Sequence, residues 1–515
     1  MRSVMSHNFS NVPKAEIQRS SFRRPHGYKT TLDAGYLVPI YVDEALPGDT
    51  FNVKASAFGR LATPIYPIMD NLYLSTFFFA VPNRLLWDNW QKFNGEQRNP
   101  GDSTDFTVPQ QTPPVAGYTE QSLADYFGLP TKIGASATPS PNALHFRAYN
   151  LIYNEWFRDE NLIDSAVVDV DDGPDTATDY VLRKRGKRFD YFTSCLPWPQ
   201  KGDAVSIPLG ASAPIATDVA TATNVSVYST TYSQNVGLTA TSSFVQGSSS
   251  AVSATNQLYA DLTAAIAPTV NELREAFQVQ RAYERDARGG TRYTEIISAH
   301  FGVTSPDSRM QRPEYLGGGV TPVNINPIAQ TSESNTTPQG NLAAMGTVSF
   351  HNHGFVKSFT EHCVILGLVC IDADLTYQQG LDRMWTRQTR WDFYWPVLAH
   401  IGEQAVLNKE IYCDGTSADD DVFGYQERYA EYRYKRSMIT GQFRSNAATP
   451  LDAWHLSQEF GSLPVLGQTF IESSPPIDRV VAVPSEPDLI LDVFFDEVTA
   501  RPMPTYSVPG LIDHF

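Results

Sequence analysis

Cysteine is scarce in this chain of 515 residues, which holds four, at positions 195, 363, 370 and 413. No two of them form a CxxC pair. If Cys363 and Cys370 lie on one strand, their odd separation places them on opposite faces. We therefore expect reduced, buried thiols and no disulfide framework.

A long hydrophobic run is also missing. No apolar segment follows Met1, and the densest apolar run, 363–371, is too short to cross a bilayer. These absences argue against a secretory signal and a membrane anchor. They predict a soluble chain made in the cytosol.

The sequence contains few patterns typical of catalysis or of metal binding. It has no GxSxG or HExxH motif, and the glycines at 317–319 lack the Lys-Ser/Thr of a phosphate loop, so a tight bend is expected there. His351 and His353 would share a strand face, but without further ligands at suitable spacing they are expected to be structural. The acidic turn 414–421 lacks the ligand pattern of an EF-hand. We expect no enzyme activity, no cofactor and no metal.

The chain has fewer basic than acidic residues, and its formal net charge is −17. The first thirty residues are the exception, because they contain six Lys or Arg and one Glu. Such a basic arm, with aromatic residues between the cations, suits contact with phosphates and stacking on single-stranded bases. The alternative is a polar terminus that docks on a neighbouring subunit. The candidate DNA-facing residues are Arg2, Lys14, Arg19, Arg23, Arg24 and Lys29.

The strongest strand signals lie near the two ends of the chain. Segments 36–42 and 72–81 are rich in apolar and β-branched residues, and apolar residues alternate with acids in 489–496. The continuous apolar run 363–371 is typical of a strand covered on both faces. We therefore expect a mainly β protein in which both chain ends join one sheet system. Because helix and strand signals do not alternate regularly, a jelly roll fits better than a βαβ fold.

Three helices are expected between these strands. Thr269 and Glu272 have capping-box spacing, and Gly289 stops the helix that they open. Ser140 and Pro141 open a second helix that runs to position 156, and Asn83 caps a short third one. Beyond Gly289 an extended, charge-punctuated segment reaches position 319 and suits polar contact with other chains. Its candidate interface residues are Arg288, Arg292, Arg309, Arg312, Glu314 and Tyr315.

One segment differs from the others in composition. Between Ala204 and Ala260 the only charged residue is Asp218, and Ser, Thr, Ala and Val dominate. A disordered linker is one interpretation. The Val and Thr content together with scattered aromatic residues favours an ordered all-β insertion.

Several long strings resemble one viral family. ERDARGGTRY at 284–293, HFGVTSPDSR at 300–309, QRPEYLGGG at 311–319 and TPQGNLAAMG at 337–346 are similar to the major capsid proteins of gokushoviruses, small single-stranded DNA phages of the Microviridae. Both ends of the chain share this likeness, which is weakest over 203–256.

The resemblance implies a viral jelly-roll β-sandwich with long loop insertions and short helices. It divides the chain into a basic arm at 1–30, a jelly-roll core at 31–203 and 257–515, and an inserted surface protrusion at 204–256. A T=1 icosahedral shell of about sixty copies is implied, with interfaces larger than a standard protein pair. In the family the protrusion is presumed to meet the host. The candidate host-contact residues are Tyr228, Tyr232 and Phe244.

The implied partners are further copies of the chain, a circular single-stranded DNA genome, a small basic DNA-binding protein, a minor pilot protein and a host-cell surface receptor. The implied location is the virion, assembled in the bacterial cytoplasm. A lectin-like, carbohydrate-binding β-sandwich is the alternative, because aromatic residues and acidic balance fit it too. The missing signal peptide and paired cysteines weigh against that alternative.

Overall fold

The computed structural model describes residues 17–134, 138–206 and 269–506, and between them the ranges 215–217, 226–231, 233–240, 245–251 and 258–260. The chain forms two compact units, one made of residues 1–199 with 289–515 and the other of residues 200–288. Among the described residues, no helix has the length and apolar character needed to cross a membrane.

Two antiparallel sheets dominate the first unit. The six-stranded sheet places β1 and β2 beside β10, followed by β4, β8 and β7, and the four-stranded sheet has the order β6-β5-β9-β3. The strands are β1 (Ser20–Arg23), β2 (His26–Leu32), β3 (Val38–Ala45), β4 (Thr50–Leu61), β5 (Leu72–Pro82), β6 (Glu314–Pro322), β7 (Asn324–Ala329), β8 (Leu342–Ser358), β9 (Cys363–Ala373) and β10 (Leu489–Arg501).

The path of the chain through these sheets is that of a jelly roll. Strands β2 and β10, β3 and β9, β4 and β8, and β5 and β6 are antiparallel neighbours. The first and third of these pairs lie in the six-stranded sheet and the other two in the four-stranded sheet. A ribbon of four antiparallel pairs that wraps around one core in this way is the jelly-roll arrangement. The predicted fold class is therefore confirmed, and both chain ends do meet in one sheet.

The core between the sheets follows from simple alternation. In β10, Leu489, Leu491 and Val493 are buried while Ile490 and Asp492 between them are exposed. The same period of two recurs in β4, because successive side chains on a strand point to opposite faces. One face of the six-stranded sheet is thus apolar and packs on the four-stranded sheet.

Strand β9 is covered on both faces, as its continuous apolar sequence predicts. Ile365 and Cys363 join the core between the sheets, whereas Leu366 and Cys370 join a second core on the other side. The two cysteines therefore do lie on opposite faces. All four cysteines are free, but Cys413 is exposed, so the expectation of buried thiols is wrong at that position, which lies in a loop.

The second core is supplied by the long insertion between β5 and β6. Helix α1 (Leu144–Ile152) packs Phe146 and Tyr149 against the outer face of the four-stranded sheet. This helix begins later than predicted, where the Asn142 side chain accepts the amide hydrogen bond of Leu144 at 2.9 Å. It continues as one π-helical turn, Tyr153–Phe157. The predicted helix after Asn83 is only a 3-10 turn, Asn83–Leu85, and a separate α-helical turn, Trp90–Phe93.

The segment after Gly289 differs from the expected extended chain. It contains helix α2 (Tyr293–Phe301) and the turn Asp307–Met310, and β6 follows at Glu314. The glycines 317–319 form no tight bend; they lie inside β6, where a Cβ on Gly318 would stand 2.0 Å from the carbonyl oxygen of Thr76. Glycine is needed there because neighbouring backbone approaches closely.

Short elements and a third apolar cluster complete the first unit. The cluster includes Phe192, Val406, Phe423 and Phe470. The remaining strands are Gln111–Thr112, Asp175–Thr176, Thr376–Tyr377, Glu403–Leu407, Val422–Glu427 and Ser437–Met438, and the remaining short α-helices are Leu123–Tyr126, Asn408–Ile411 and Gln468–Ile471.

The second unit contains the charge-poor segment and the best-signalled helix. Its strands form a three-stranded sheet of Ser226–Ser229, Gln234–Ala240 and Val245–Ala251 and a pair of Ile215–Thr217 with Leu258–Ala260. The long helix, Val270–Gly289, begins at the predicted capping box, in which Thr269 and Glu272 exchange hydrogen bonds of 2.6 and 3.2 Å. The unit is thus longer than the predicted insertion 204–256.

A buried ion pair ties the insertion together. Arg147, on helix α1, is fully buried and binds both carboxylate oxygens of Asp175 at 2.8 and 2.5 Å. Its remaining N–H groups donate to the carbonyl oxygens of Leu86 and Asp171. Three separate stretches of chain, around Leu86, along helix α1 and at 171–175, therefore meet at one guanidinium, and this contact stabilises the layer that covers the four-stranded sheet.

We expect Asp175→Ala to destabilise the subunit by about 3–5 kcal/mol, because it removes the one buried carboxylate that binds Arg147 and leaves only the exposed Asp171 carboxylate near this buried charge. Asp171→Ala is the matched control. That carboxylate lies 3.4 Å from the same guanidinium but its side chain is 77% exposed, so its loss should cost no more than about 1 kcal/mol. Urea denaturation of both variants checks this expectation, and equal losses would contradict it.

Candidate assembly surfaces

Four of the six predicted DNA-facing cations lie in the described residues, and three of these are at the outer surface of the six-stranded sheet. Arg23 pairs with Asp496 at 3.2 Å, Lys29 pairs with Asp492, and Arg19 donates to the Thr50 hydroxyl. Arg2 and Lys14 lie outside the described residues. The sandwich therefore begins at β1, inside the segment predicted as a free arm, and the expected boundary at residue 30 is corrected to about residue 20.

Arg24 has a different role from its neighbours. Its guanidinium binds Asp43 and Glu497, and Glu497 is fully buried between the sheets. The Tyr41 hydroxyl donates to the same carboxylate at 3.1 Å. Arg24 thus neutralises an acid of the core, and the expectation that it faces DNA is corrected.

Of the two large sheets in the described part of the first unit, the six-stranded sheet leaves its outer surface open. We call it the open sheet face. Lys54, Phe58 and Arg60 of β4 and Phe494 of β10 point outward there, with Phe58 53% and Phe494 51% exposed. Neither Lys54 nor Arg60 forms an ion pair with a described carboxylate. Aromatic rings and unpaired cations on one face can stack bases and bind phosphates.

The predicted subunit-interface residues are divided between the inside and the surface of the subunit. Arg292 is largely buried, where it binds Glu160 and donates to the carbonyl oxygens of Asn154 and Arg158 at 2.6 and 3.0 Å. Burial raises the pKa of Glu160 to about 7, although Arg292 opposes that shift. Arg292 therefore anchors helix α2 within its own subunit.

Arg312 is also held inside the subunit. Its guanidinium donates to Asp307 at 2.7 Å and to the Thr294 hydroxyl at 3.2 Å, and it lies 4.2 Å from the centre of the Trp156 ring. We therefore correct the expectation that it is free to bind another chain. Glu314 pairs with Lys357.

The other predicted interface residues are less enclosed. Arg309 is exposed, and Tyr315 is exposed at one edge while its ring packs 5.5 Å from that of Phe79. Arg288 belongs to the second unit and is half-buried there. Of the predicted host-contact residues, Tyr228 is 62% exposed in its strand, and Tyr232 and Phe244 lie outside the described residues.

The structure reveals one surface that the sequence analysis missed. It is formed by consecutive short turns after β9 and is dense in exposed aromatic and aliphatic side chains, with Trp385 72% and Val397 81% exposed. We call it the aromatic–arginine surface. Its members are Trp385, Arg387, Arg390, Trp391, Phe393, Tyr394, Trp395, Val397, Ile401, Tyr432 and Tyr434. The sequence does contain a signal for this surface, because three of the eight tryptophans lie in the range 385–395.

Contacts between arginines and aromatic rings stabilise this surface. Arg390 lies 4.3 Å from the centre of the Trp395 ring, and Arg387 lies 4.4 Å from that of Tyr432. Below them Arg383 binds the buried Glu410 at 3.0 Å. Burial raises the pKa of Glu410, and Arg383 opposes the shift. These contacts hold the side chains of the surface in place in the unbound subunit.

Histidine does not build a metal centre in the described part of the chain, where no group of three metal-ligating side chains occurs. His353 instead bonds the Thr76 hydroxyl at 2.9 Å and stacks on Phe350. His351 and His353 are separated by a bulge at Asn352, so they do not act as the paired face that plain alternation predicts.

A jelly roll with one open sheet face, and with a second large surface of exposed rings, is built to contact other macromolecules over wide areas. Viral capsid proteins are one class of protein that combines a jelly roll with such wide contact surfaces.

Comparison with known proteins identifies the family. A family model described as "Capsid protein (F protein)" matches residues 10–511. The chain is 51% identical to the capsid protein VP1 of Bdellovibrio phage phiMH2K over 99% of this chain and 98% of the relative, and 45% identical to the capsid protein VP1 of Chlamydia phage 1 over the same shares. It is 36% identical to the capsid protein VP1 of Spiroplasma virus 4, over 98% of this chain and 97% of the relative.

The chain therefore belongs to this family of phage capsid proteins, and the resemblance to gokushovirus major capsid proteins is confirmed. It is a structural component of a virion and not an enzyme. Family membership favours the capsid interpretation over the lectin-like alternative.

We expect Arg312→Ala to destabilise the subunit by roughly 1–3 kcal/mol, because it removes charge-assisted hydrogen bonds and a cation–π contact. The exposed neighbour Arg309 provides the control, and Arg309→Ala should leave the thermal midpoint unchanged. Thermal unfolding followed by circular dichroism checks both. An unchanged midpoint for Arg312→Ala would show that these intrasubunit contacts contribute little.

Proposed function

We propose that this capsid protein tiles a T=1 icosahedral shell of about sixty copies around a circular single-stranded DNA genome. The observation that carries the proposal is the whole-length similarity to capsid proteins of small phages, combined with the jelly-roll path of the chain. The proposed site of assembly is the cytoplasm of a bacterial host. Negative-stain imaging and sedimentation of the expressed chain test the proposal: particles of megadalton mass support it, and monomers or small oligomers contradict it.

Two smaller virion proteins complete the proposed assembly. Because each subunit carries a formal charge of −17, a shell of these chains repels packaged DNA unless cations intervene. A small basic DNA-binding protein supplies such cations. The family resemblance also implies a minor pilot protein.

The open sheet face is the proposed DNA contact of the capsid protein itself. This face carries more cations than acids, although the chain as a whole is strongly acidic. Its cations are Arg23, Lys29, Lys54 and Arg60, and its acids are Asp492 and Asp496. Phe58 and Phe494 add rings on which bases stack. Arg19 extends this basic surface.

Replacing Arg19, Arg23, Lys54 and Arg60 by Gln should lower the DNA content of particles, because each substituted cation no longer binds a phosphate. Binding of an oligo-dT probe should also become less salt-dependent, and the log–log slope should fall by about 0.7 for each cation replaced. Arg98→Gln, on an exposed loop, is the control. The absorbance ratio of purified particles and fluorescence anisotropy at several salt concentrations measure the two effects. Unchanged packaging and slope would remove this face from the DNA contact.

The second unit is the proposed host-contact protrusion. Its strands belong to a segment with almost no charge, and the ring of Tyr228 is exposed there. Polar, aromatic surfaces of this kind suit adaptable contact with a receptor. Because the unit has its own sheet, its strands are not needed by the sandwich.

Replacing residues 206–255 with a short Gly-Ser linker should leave soluble subunits that assemble but no longer attach to host cells. The control is Tyr228→Phe, which keeps the ring and should reduce attachment much less. Adsorption of purified particles to host cells measures the effect. Insoluble protein, or particles that adsorb normally, would refute the assignment.

A further inference from the structure

The aromatic–arginine surface exposes several large apolar side chains close together in the chain. Trp385, Trp391, Val397 and Ile401 are each more than half exposed, and they lie within one short stretch of chain. Monomeric proteins rarely expose a contiguous apolar patch of this kind, and such patches mark binding sites. Trp, Tyr and Arg are also the residues that contribute most to protein–protein interfaces.

The charges in this surface and beside it favour a protein partner over DNA. Arg387 pairs with Glu431 at 3.4 Å, Lys435 with Asp382 at 3.3 Å, and Arg433 with Glu427 at 2.6 Å. Cations already neutralised in this way release few counterions on meeting a phosphate. The exposed aliphatic side chains of Val397 and Ile401 gain nothing from base stacking but gain free energy when another protein covers them.

A complementary segment exists elsewhere on the chain. Between positions 159 and 182 there are eight acids and no Lys or Arg. Val167, Val168 and Asp164 are exposed there, and the Asp171 side chain is 77% exposed. None of the acids from 164 to 179 is paired with a cation of the aromatic–arginine surface in the described subunit. This segment therefore offers apolar contact and exposed negative charge together.

We infer that the aromatic–arginine surface of one subunit packs on the acidic segment 164–172 of a second copy of this chain. The surface still carries positive charge to meet these acids, because Arg390 forms no ion pair with a described carboxylate. When one patch of a subunit binds a different patch of the next copy, the contact is heterologous. Such a contact repeats from copy to copy and closes into a ring or shell when its rotation permits closure. The inference rests on the proposed function, since it names where the shell-forming contact lies.

The test compares particles from host cells that express the unsubstituted chain, Val397→Asp, Arg390→Asp, Asp171→Lys, or Arg390→Asp combined with Asp171→Lys. Each single change should lower the particle yield at least about tenfold, because it places a charge in an apolar contact or opposes like charges. The combined variant should recover much of the yield. Val115→Asp, at a residue 89% exposed elsewhere, is the matched control and should assemble normally.

Circular dichroism of the purified subunits separates failed assembly from failed folding, and Trp391→Ala provides a milder second variant if a charged one unfolds. Normal particles from Val397→Asp and Trp391→Ala would overturn the inference, and normal particles with less DNA would assign the surface to DNA instead. Loss of particles without recovery in the combined variant would overturn the pairing with segment 164–172. Absence of particles from the unsubstituted chain would instead contradict the proposed function.

Discussion

Burial of both faces of the four-stranded sheet is the constraint on which the subunit depends. Strand β9 is apolar at nearly every position, so neither of its faces tolerates water. The six-stranded sheet covers one face. The other needs a separate layer, and the insertion between β5 and β6 supplies it through helix α1 and the buried Arg147–Asp175 pair.

This asymmetry leaves specific surfaces available for assembly. Because the insertion covers only the four-stranded sheet, the outer face of the six-stranded sheet remains open. The turns between β9 and β10 pack on a third cluster around Phe192 and Phe423, and they expose the aromatic–arginine surface. The subunit thus has one face that we propose contacts nucleic acid and another that we propose contacts a second protein chain.

Arginine has two distinct roles in this acidic chain. Arg24 and Arg147 neutralise the buried acids Glu497 and Asp175, and Arg292 pairs with Glu160, whose side chain is only partly exposed. A planar guanidinium suits this role because it binds a carboxylate with several N–H groups at once and has spare donors for carbonyl oxygens. Arginines that form no ion pair with a described carboxylate, such as Arg60 and Arg390, remain for contacts outside the subunit. A run of arginines in the sequence is therefore a poor guide to an interface.

Elements that depend on local periodicity and capping could be predicted from the amino-acid order alone. Alternation in β10, the continuous apolar run of β9 and the Thr269–Glu272 box each predicted the observed element, because a strand or helix face is encoded by residues a few positions apart. The family was readable too, because long unusual strings rarely recur by chance. Which arginines are enclosed and which rings are exposed became clear only from the three-dimensional fold. Whether an arginine is enclosed depends on residues far apart in the chain, as in the contact between Arg24 and Glu497. Irregular turns such as those around Trp391 have no regular spacing of apolar residues, so the sequence does not show which side chains they expose.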